Sequence, residues 1–259
     1  MHVAVFGAAG WLGRAVINNL KNRHTIKAID RSPESWQAWE DVDGVWESSE
    51  IIHGDISDFD AVDKALEGVD TVIHATAFFP GDRPAEQEAE PAFAINVRGL
   101  WNVLEASRRR SVKRVVHVGS CQSTHPDGIF FTADVRRPDA SLYAVTKRLQ
   151  EEMCRQFHEG HGLSIIVMRP DYIVDSRIGM GRFREKLDIT HFGNMGWVCR
   201  HDLAEACRLA IESQTIDFDI FHTVGETSTD ATCDVARSRN VLGLTYEGNL
   251  EQYRTATNK

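Results

Sequence analysis

Short apolar runs alternate with amphipathic stretches along most of the chain. Residues 3–6, 25–29, 50–53, 69–74, 114–118 and 163–168 read as strands, and the segments between them show helical spacing. Strands buried on both faces are near-continuous apolar runs, and their alternation with helices predicts parallel β-α-β units. The expected fold is therefore α/β, a Rossmann-type doubly wound parallel sheet, over residues 1–168. Beyond residue 168 the pattern loosens, and residues 169–259 read as a small C-terminal substrate lobe. That lobe should return one strand, residues 218–222, to the sheet and carry one helix after His201-Asp202 and another over residues 234–242. Within the first part, a helix should follow Ser57-Asp58 and a long one should begin near Ser141. Residues 78–90 read as an acidic, flexible loop, and Pro91 suits the first turn of the helix that carries Asn96.

Composition narrows the picture. In 259 residues, 42% hydrophobic with 26% charged allows one sizeable core. A formal charge of −9 argues against nucleic acid or an anionic membrane as partner, since both are bound by basic surfaces. With no charged-then-apolar leader and no apolar run of spanning length, the expectation is a cytoplasmic protein with a small-molecule substrate. The five cysteines are scattered without a C-x-x-C pair, so they should be reduced. Cys154, His158 and His161 share a helix face but lack a fourth ligand, and no metal is expected. Trp36, Trp39 and Trp46 read as packing, and Arg108, Arg109 and Arg110 as a helix C-terminus rather than a nucleic-acid patch.

The first strand runs into Gly7-Ala8-Ala9-Gly10-Trp11-Leu12-Gly13 and then a helix. Gly7 would turn the chain sharply, Gly10 would let a pyrophosphate approach the backbone and the helix N-terminus, and Gly13 would bring helix and sheet together. The second strand ends in Asp30, placed to accept hydrogen bonds from an adenosine ribose. This combination points to dinucleotide binding. Ala75-Thr76-Ala77 follow the fourth strand at the sheet edge where ligands lie. Ser120 follows the fifth strand at that same edge, and Tyr143 and Lys147 are an i, i+4 pair on one helix face, where the ammonium can favour a phenolate. A hydroxyl, a tyrosine base and a nearby cation are the apparatus of hydride transfer.

In order across nearly the whole chain, Gly7-x-x-Gly10-x-x-Gly13, Asp30, Asp55, Asn96, Gly119-Ser120, Tyr143-x-x-x-Lys147 and Arg169-Pro170 resemble the extended short-chain dehydrogenase/reductases, the NAD-dependent epimerase/dehydratase family. The resemblance implies Tyr143 as general acid/base, Lys147 also holding the nicotinamide ribose, Ser120 polarising the substrate and Asp55 contacting adenine. It implies a cofactor site drawn from Gly7, Ala9, Gly10, Trp11, Leu12, Gly13, Asp30, Arg31, Asp55, Ile56, Ala75, Thr76, Ala77, Asn96, Tyr143, Lys147 and Pro170. Asp30 implies NAD, because a carboxylate there repels the extra phosphate of NADP. Cys121-Gln122 stand where dehydratases carry Asp-Glu, which argues against dehydration. Leu142-Tyr143 after Arg136-Arg137-Pro138-Asp139, and residues 197–203, look like the uronate dehydrogenase branch, although those enzymes carry Asn-His after the serine.

The expected function is NAD-dependent oxidation of a hydroxyl of a small sugar, sugar acid or polyol, by a protein that self-associates as a homodimer. A sugar-nucleotide epimerase is the alternative, and a non-catalytic dinucleotide-sensing regulator a third. The stretch after Arg169 is short for gripping a nucleotide sugar. At least one of Arg177, Arg182 and Arg184 is expected to anchor a substrate carboxylate with two parallel hydrogen bonds, Ser120, Gln122, Tyr143 and Tyr172 lining the same pocket.

Overall fold

The computed structural model describes residues 1–47, 49–121, 130–135, 139–188, 196–225 and 227–254. In chain order its elements are β1 (His2–Phe6), α1 (Trp11–Leu20), β2 (Thr25–Asp30), α2 (Pro33–Gln37), α3 (Glu40–Asp43), β3 (Glu50–His53), α4 (Phe59–Ala65), β4 (Thr71–His74), α5 (Ala85–Ala92), a π-helical turn (Phe93–Arg98) and α6 (Gly99–Arg109). There follow β5 (Arg114–Val118), α7 (Leu142–His161), β6 (Ser164–Pro170), β7 (Tyr172–Asp175), β8 (Met180–Gly181), β9 (Trp197–Cys199), α8 (Arg200–Glu212), β10 (Phe218–Thr223) and α9 (Ala236–Asn240).

Seven strands form one sheet in the order β10-β6-β5-β4-β1-β2-β3, every neighbouring pair parallel. Its two faces carry separate cores. Val3, Val5, Ile73, Val116 and Ile166 pack against α1 and α8, while Ala4, Val72, Val115, Ile165 and Val167 pack against α4, α6 and α7. Strand order reverses between β1 and β4, so a crevice opens at the carboxyl ends of those strands. A second sheet, β8-β7-β9, stands over that edge. The strand after α8 does return to the main sheet, pairing with β6.

Local chemistry explains the helix starts. The Asp58 carboxylate accepts from the N–H groups of Asp60 (3.0 Å) and Ala61 (3.4 Å) at the start of α4, and the Ser141 hydroxyl accepts from Ala144 N (3.3 Å) at the start of α7. The segment 78–90 departs from expectation. A helix begins at Ala85, and Pro91 lies inside it rather than at its first turn. Proline has no N–H for the carbonyl one turn back, and the helix widens directly afterwards into the π-turn that holds Asn96. The polar stretch after Asp30 also contains two short helices, α2 and α3, neither capped by a side chain. Strand β6 runs two residues beyond its apolar run, to Pro170, and α9 is shorter than its amphipathic pattern.

The cysteines are all buried and free. Among the described residues no helix is long and apolar enough to cross a membrane, and no cluster of three His, Cys, Asp or Glu could hold a metal ion. His158 turns back to the Leu163 carbonyl (3.0 Å) and His161 packs on Phe157. Arg108 and Arg109 pair with Glu105, and Arg110 with Asp63.

Candidate active site

A cavity of about 580 Å³ lies along the carboxyl ends of β1, β2, β4, β5 and β6. The glycine turn forms one wall. Gly7 sits at φ +80°, and a Cβ there would lie 2.9 Å from Thr76 N; a Cβ on Gly13 would lie 2.0 Å from Gly7 O. Neither position admits a side chain. A Cβ at Gly10 would meet only the Gly7 carbonyl, at 3.3 Å, so the side of Gly10 toward the cavity is open backbone. Gly10 caps α1, whose first turn carries no acidic residue to compete for its N–H groups. The turn is thus shaped and polarised for a pyrophosphate, which is the fit a dinucleotide requires. Asp30 closes this end: its carboxylate accepts from Ala9 N (3.0 Å) and Arg31 N (2.8 Å), tying β2 to the turn. Asp55 and Ile56 lie beside it, the Asp55 carboxylate accepting from Ser57 N (2.8 Å).

The other end holds the reactive side chains. Strand β5 delivers Ser120, and the first turns of α7 deliver Tyr143 and Lys147 to the same wall. Ser120 hydrogen-bonds the Tyr143 phenol. Lys147, 4% exposed, donates from Nζ to the Val118 carbonyl (3.2 Å), and its Nζ is 5.7 Å from the centre of the Tyr143 ring. Burial pushes the phenol up to about 12, against the lowering influence of the Arg182 cation and the Ser120 hydrogen bond. Burial brings Lys147 down to about 7. The sequence pairing suggests Lys147 as the cation that favours the phenolate. Lys147 Nζ stays near the Tyr143 ring while bonding Val118, and Arg182, which directly follows β8 and lines the same cavity, is a second cation whose charge favours the phenolate.

Most of the expected residues meet here. Gly7, Ala9, Gly10, Trp11, Leu12, Gly13, Asp30, Arg31, Asp55, Ile56, Ala75, Thr76, Ala77, Ser120, Tyr143, Lys147, Pro170, Tyr172 and Arg182 all line the cavity. Asn96 does not. It is fully buried behind the wall, its side-chain amide bonded to both backbone groups of Phe78 (2.7 and 3.0 Å) and to the Thr146 hydroxyl (3.1 Å). Arg177 points to solvent, and Arg184 bonds Asp41 and the Ala38 carbonyl at the surface. Of the three arginines, Arg182 alone faces the cavity, between the rings of Phe79 (3.4 Å from its carbon Cζ) and Phe183 (4.5 Å). Tyr172 lends its ring, while its hydroxyl donates to Glu185. Gln122, like Arg136, Arg137 and Pro138, lies outside the described residues.

Sequence reasoning missed Trp39, Phe79, Asp171 and Phe183, which also line the cavity. Trp39 packs against Trp11, centroids 4.6 Å apart and planes tilted by 43°, and does so at the cavity wall. For Phe79 the signal was present, two phenylalanines directly after the small Ala75-Thr76-Ala77 run, and the acidic residues that follow obscured it. The wall is braced from outside by Arg200, 2% exposed. It bonds Asp175 (2.7 Å), both oxygens of Asp43 (2.8 and 2.7 Å) and the Trp11 carbonyl (3.2 Å), and stands 4.0 Å over the Trp11 ring. Burial alone would raise the Asp175 carboxyl, but hydrogen bonds from His201 and Arg200 hold it well below the usual range.

Residues 3–217 match the model of the NAD dependent epimerase/dehydratase family. The L-arabinose 1-dehydrogenase (NAD(P)(+)) of Haloferax volcanii is 24% identical over 257 residues, covering 93% of this chain and 94% of that protein. The uronate dehydrogenase of Pseudomonas syringae pv. tomato is 30% identical over 169 residues, 63% of this chain and 56% of that protein. Among solved structures, a short-chain dehydrogenase/reductase superfamily protein from Agrobacterium tumefaciens with bound NAD has a TM-score of 0.78 at 20% identity, covering 98% of this chain and 96% of that one. The uronate dehydrogenase from Agrobacterium tumefaciens has a TM-score of 0.73 at 21% identity, covering 97% and 86%. These structural likenesses concern the fold.

Proposed function

From the premise that the chain belongs to the NAD-dependent epimerase/dehydratase family, we propose that it is an NAD-dependent dehydrogenase oxidising a hydroxyl of a small sugar acid, with Ser120, Tyr143 and Lys147 as its reactive set. The carrying observation is that Arg182 lines the same cavity as the hydrogen-bonded Ser120 and Tyr143, the cavity that the glycine turn opens. The names of its relatives, an arabinose and a uronate dehydrogenase, support sugar oxidation.

Bound NAD supplies the hydride acceptor. The substrate carbon gives up a hydride and its hydroxyl a proton, leaving a carbonyl. Tyr143 takes that proton at its phenolate oxygen, and Ser120 holds the substrate oxygen in reach of it. Lys147, at the cavity floor, would hold the ribose next to the nicotinamide. Lys147 and Arg182 are the cations beside the buried phenol, and the positive charge a bound nicotinamide would bring would favour the ionised form further. Arg182, with no carboxylate partner among the described residues, offers its planar fork to a substrate carboxylate while Phe79 and Phe183 hold its plane. The small sheet β8-β7-β9 acts as the substrate lobe. Exposed Phe93, Trp101 and Leu149, on neighbouring helical segments, support a homodimer, and the five free cysteines a reducing, cytoplasmic setting.

The test is a screen of uronates, neutral aldoses and polyols with NAD, following NADH. Net NADH formation with a sugar acid is the expected result. A protein that interconverts nucleotide sugars with no net NADH is an epimerase instead.

A further inference from the structure

Two buried imidazoles beneath the site take no part in the chemistry above. His74 ends β4 and His117 stands opposite it on β5, on the face that packs against α6 and α7. Both are fully buried, and their Nδ1 atoms are 3.0 Å apart. A hydrogen bond between two Nδ1 atoms needs one N–H and one lone pair, so the two neutral rings are committed to opposite tautomers. One ring then carries a bare Nε2 and the other an Nε2–H, and neither Nε2 has a partner among the described residues. Burial, and after it the charge of Lys147, whose Nζ bonds the carbonyl of the residue after His117, keep both rings well below the usual histidine range, His74 at about 3. Gln150, one turn further along α7, also presents a buried Oε1 without a partner, while its amide donates to Asn96 O (2.6 Å).

Lys147 has the complementary need. An ammonium has three N–H groups, and burial makes each unfilled one costly. Val118 O, on the residue after His117, takes one. The cavity side, where the cofactor ribose lies in the reading above, takes a second. The third needs an acceptor below the cavity floor.

We propose that the His74–His117 pair positions Lys147, its bare Nε2 accepting the third ammonium N–H through a bridging water. The inter-ring bond fixes which nitrogen points at the lysine, and the lysine is thereby held at the cavity floor instead of swinging toward solvent. This rests on Lys147 being a cofactor-binding residue.

The test is a fluorescence titration of NADH against the parent protein, His117→Phe, Lys147→Met and the double variant, with melting temperature followed in each. His117→Phe should weaken NADH about tenfold in the parent and less than twofold in the Lys147→Met background, because the histidine acts through the lysine. Equal weakening in both backgrounds, or none in the parent, overturns the proposal. Where the phenylalanine variant does not fold, His74→Asn and His117→Asn carry the test, since asparagine keeps an atom at the Nδ1 point and has none at Nε2. One of the two should lose NADH affinity and the other bind as the parent does, only one ring having the bare Nε2. Parental binding by both overturns the proposal. The titration uses no substrate: a protein that binds NADH normally but oxidises no sugar overturns the sugar-acid reading alone, and one that binds no NADH overturns both.

Discussion

The guanidinium carbon of Arg182 stands 3.4 Å over the centre of the Phe79 ring, which itself lies nearly flat on Tyr143, centroids 4.9 Å apart and planes 23° from parallel. Among the described residues the arginine is thus oriented by an aromatic stack and not by a carboxylate, leaving its N–H fork for a ligand. Arg182→Ala should raise KM for an acidic sugar at least about tenfold, with NADH affinity unchanged. Arg182→Lys should recover little, because a point charge neither stacks nor binds two oxygens in parallel. Initial-rate kinetics against substrate and NADH titration separate these effects.

Tyr143→Phe removes one oxygen and keeps the ring on Phe79. Turnover should fall by about 10²–10⁴, the usual worth of a general acid–base group, while the NADH dissociation constant stays within about twofold. Wild-type turnover would remove Tyr143 from the reaction.

Asp30 bonds Ala9 N and Arg31 N at once, so Asp30→Ala loosens the glycine turn for any dinucleotide and also removes the carboxylate from the ribose site. The first loss weakens NAD and NADP alike. The second discriminates, since NAD loses ribose hydrogen bonds whereas NADP is relieved of repulsion and meets Arg31, which lines the cavity beside it. Titrations with both reduced cofactors should show the NADH-to-NADPH preference shrinking.

Parallel strands, glycines and the ends of strands were legible in the sequence because each is fixed by local chemistry. A run such as Val3-Ala4-Val5-Phe6 has no other good place to go, and nothing but glycine fits at Gly13. Ser120, Tyr143 and Lys147 could be placed together because strand ends of a parallel sheet share one edge. Side-chain direction was not legible. Arg177, Arg182 and Arg184 look alike in sequence, and only the antiparallel β7-β8 pairing decides which faces inward. Asn96 carries a motif position yet, from within the π-turn, holds the backbone of Phe78 instead of lining the cavity. The His74–His117 bond depends on the register of β4 with β5, which no window of sequence contains.

Lys147 should make stability depend on pH. In the folded, cofactor-free protein it titrates at about 7, and in the unfolded chain at about 10.4. Between those values the unfolded chain holds a proton that the folded one lacks, so this group makes stability rise with pH; below about 7 its full penalty is present. Lys147→Met should therefore raise the melting temperature of the cofactor-free protein most at or below pH 7, with the gain fading toward pH 10. Thermal melts at a series of pH values check the sign. A gain that grows toward pH 10 would mean that the lysine is not buried as a cation.

Arg184 links the two sides of the cleft. It follows Arg182 and Phe183 of the substrate wall, and its guanidinium bonds both oxygens of Asp41 (2.7 and 2.9 Å) and the Ala38 carbonyl (2.7 Å) while standing 4.6 Å over Trp39. Ala38 and Trp39 line the cofactor end of the same cavity, so the contact is a strap across it. As an ion pair it is exposed, Arg184 at 46% and Asp41 at 61%, and solvent screening leaves such pairs little weight in stability. Its effect should be kinetic. Arg184→Ala should leave the melting temperature nearly unchanged but speed NADH release severalfold, read by stopped-flow displacement with excess NAD. Raised salt should speed release from the parent and not from the variant, because screening weakens the same pair. Arg184 also sits at φ +66°, where glycine is at ease. Arg184→Gly should therefore release NADH as fast as the alanine variant while melting no lower, which separates loss of the strap from backbone strain. Unchanged release in both variants would mean that the cleft opens without breaking this contact.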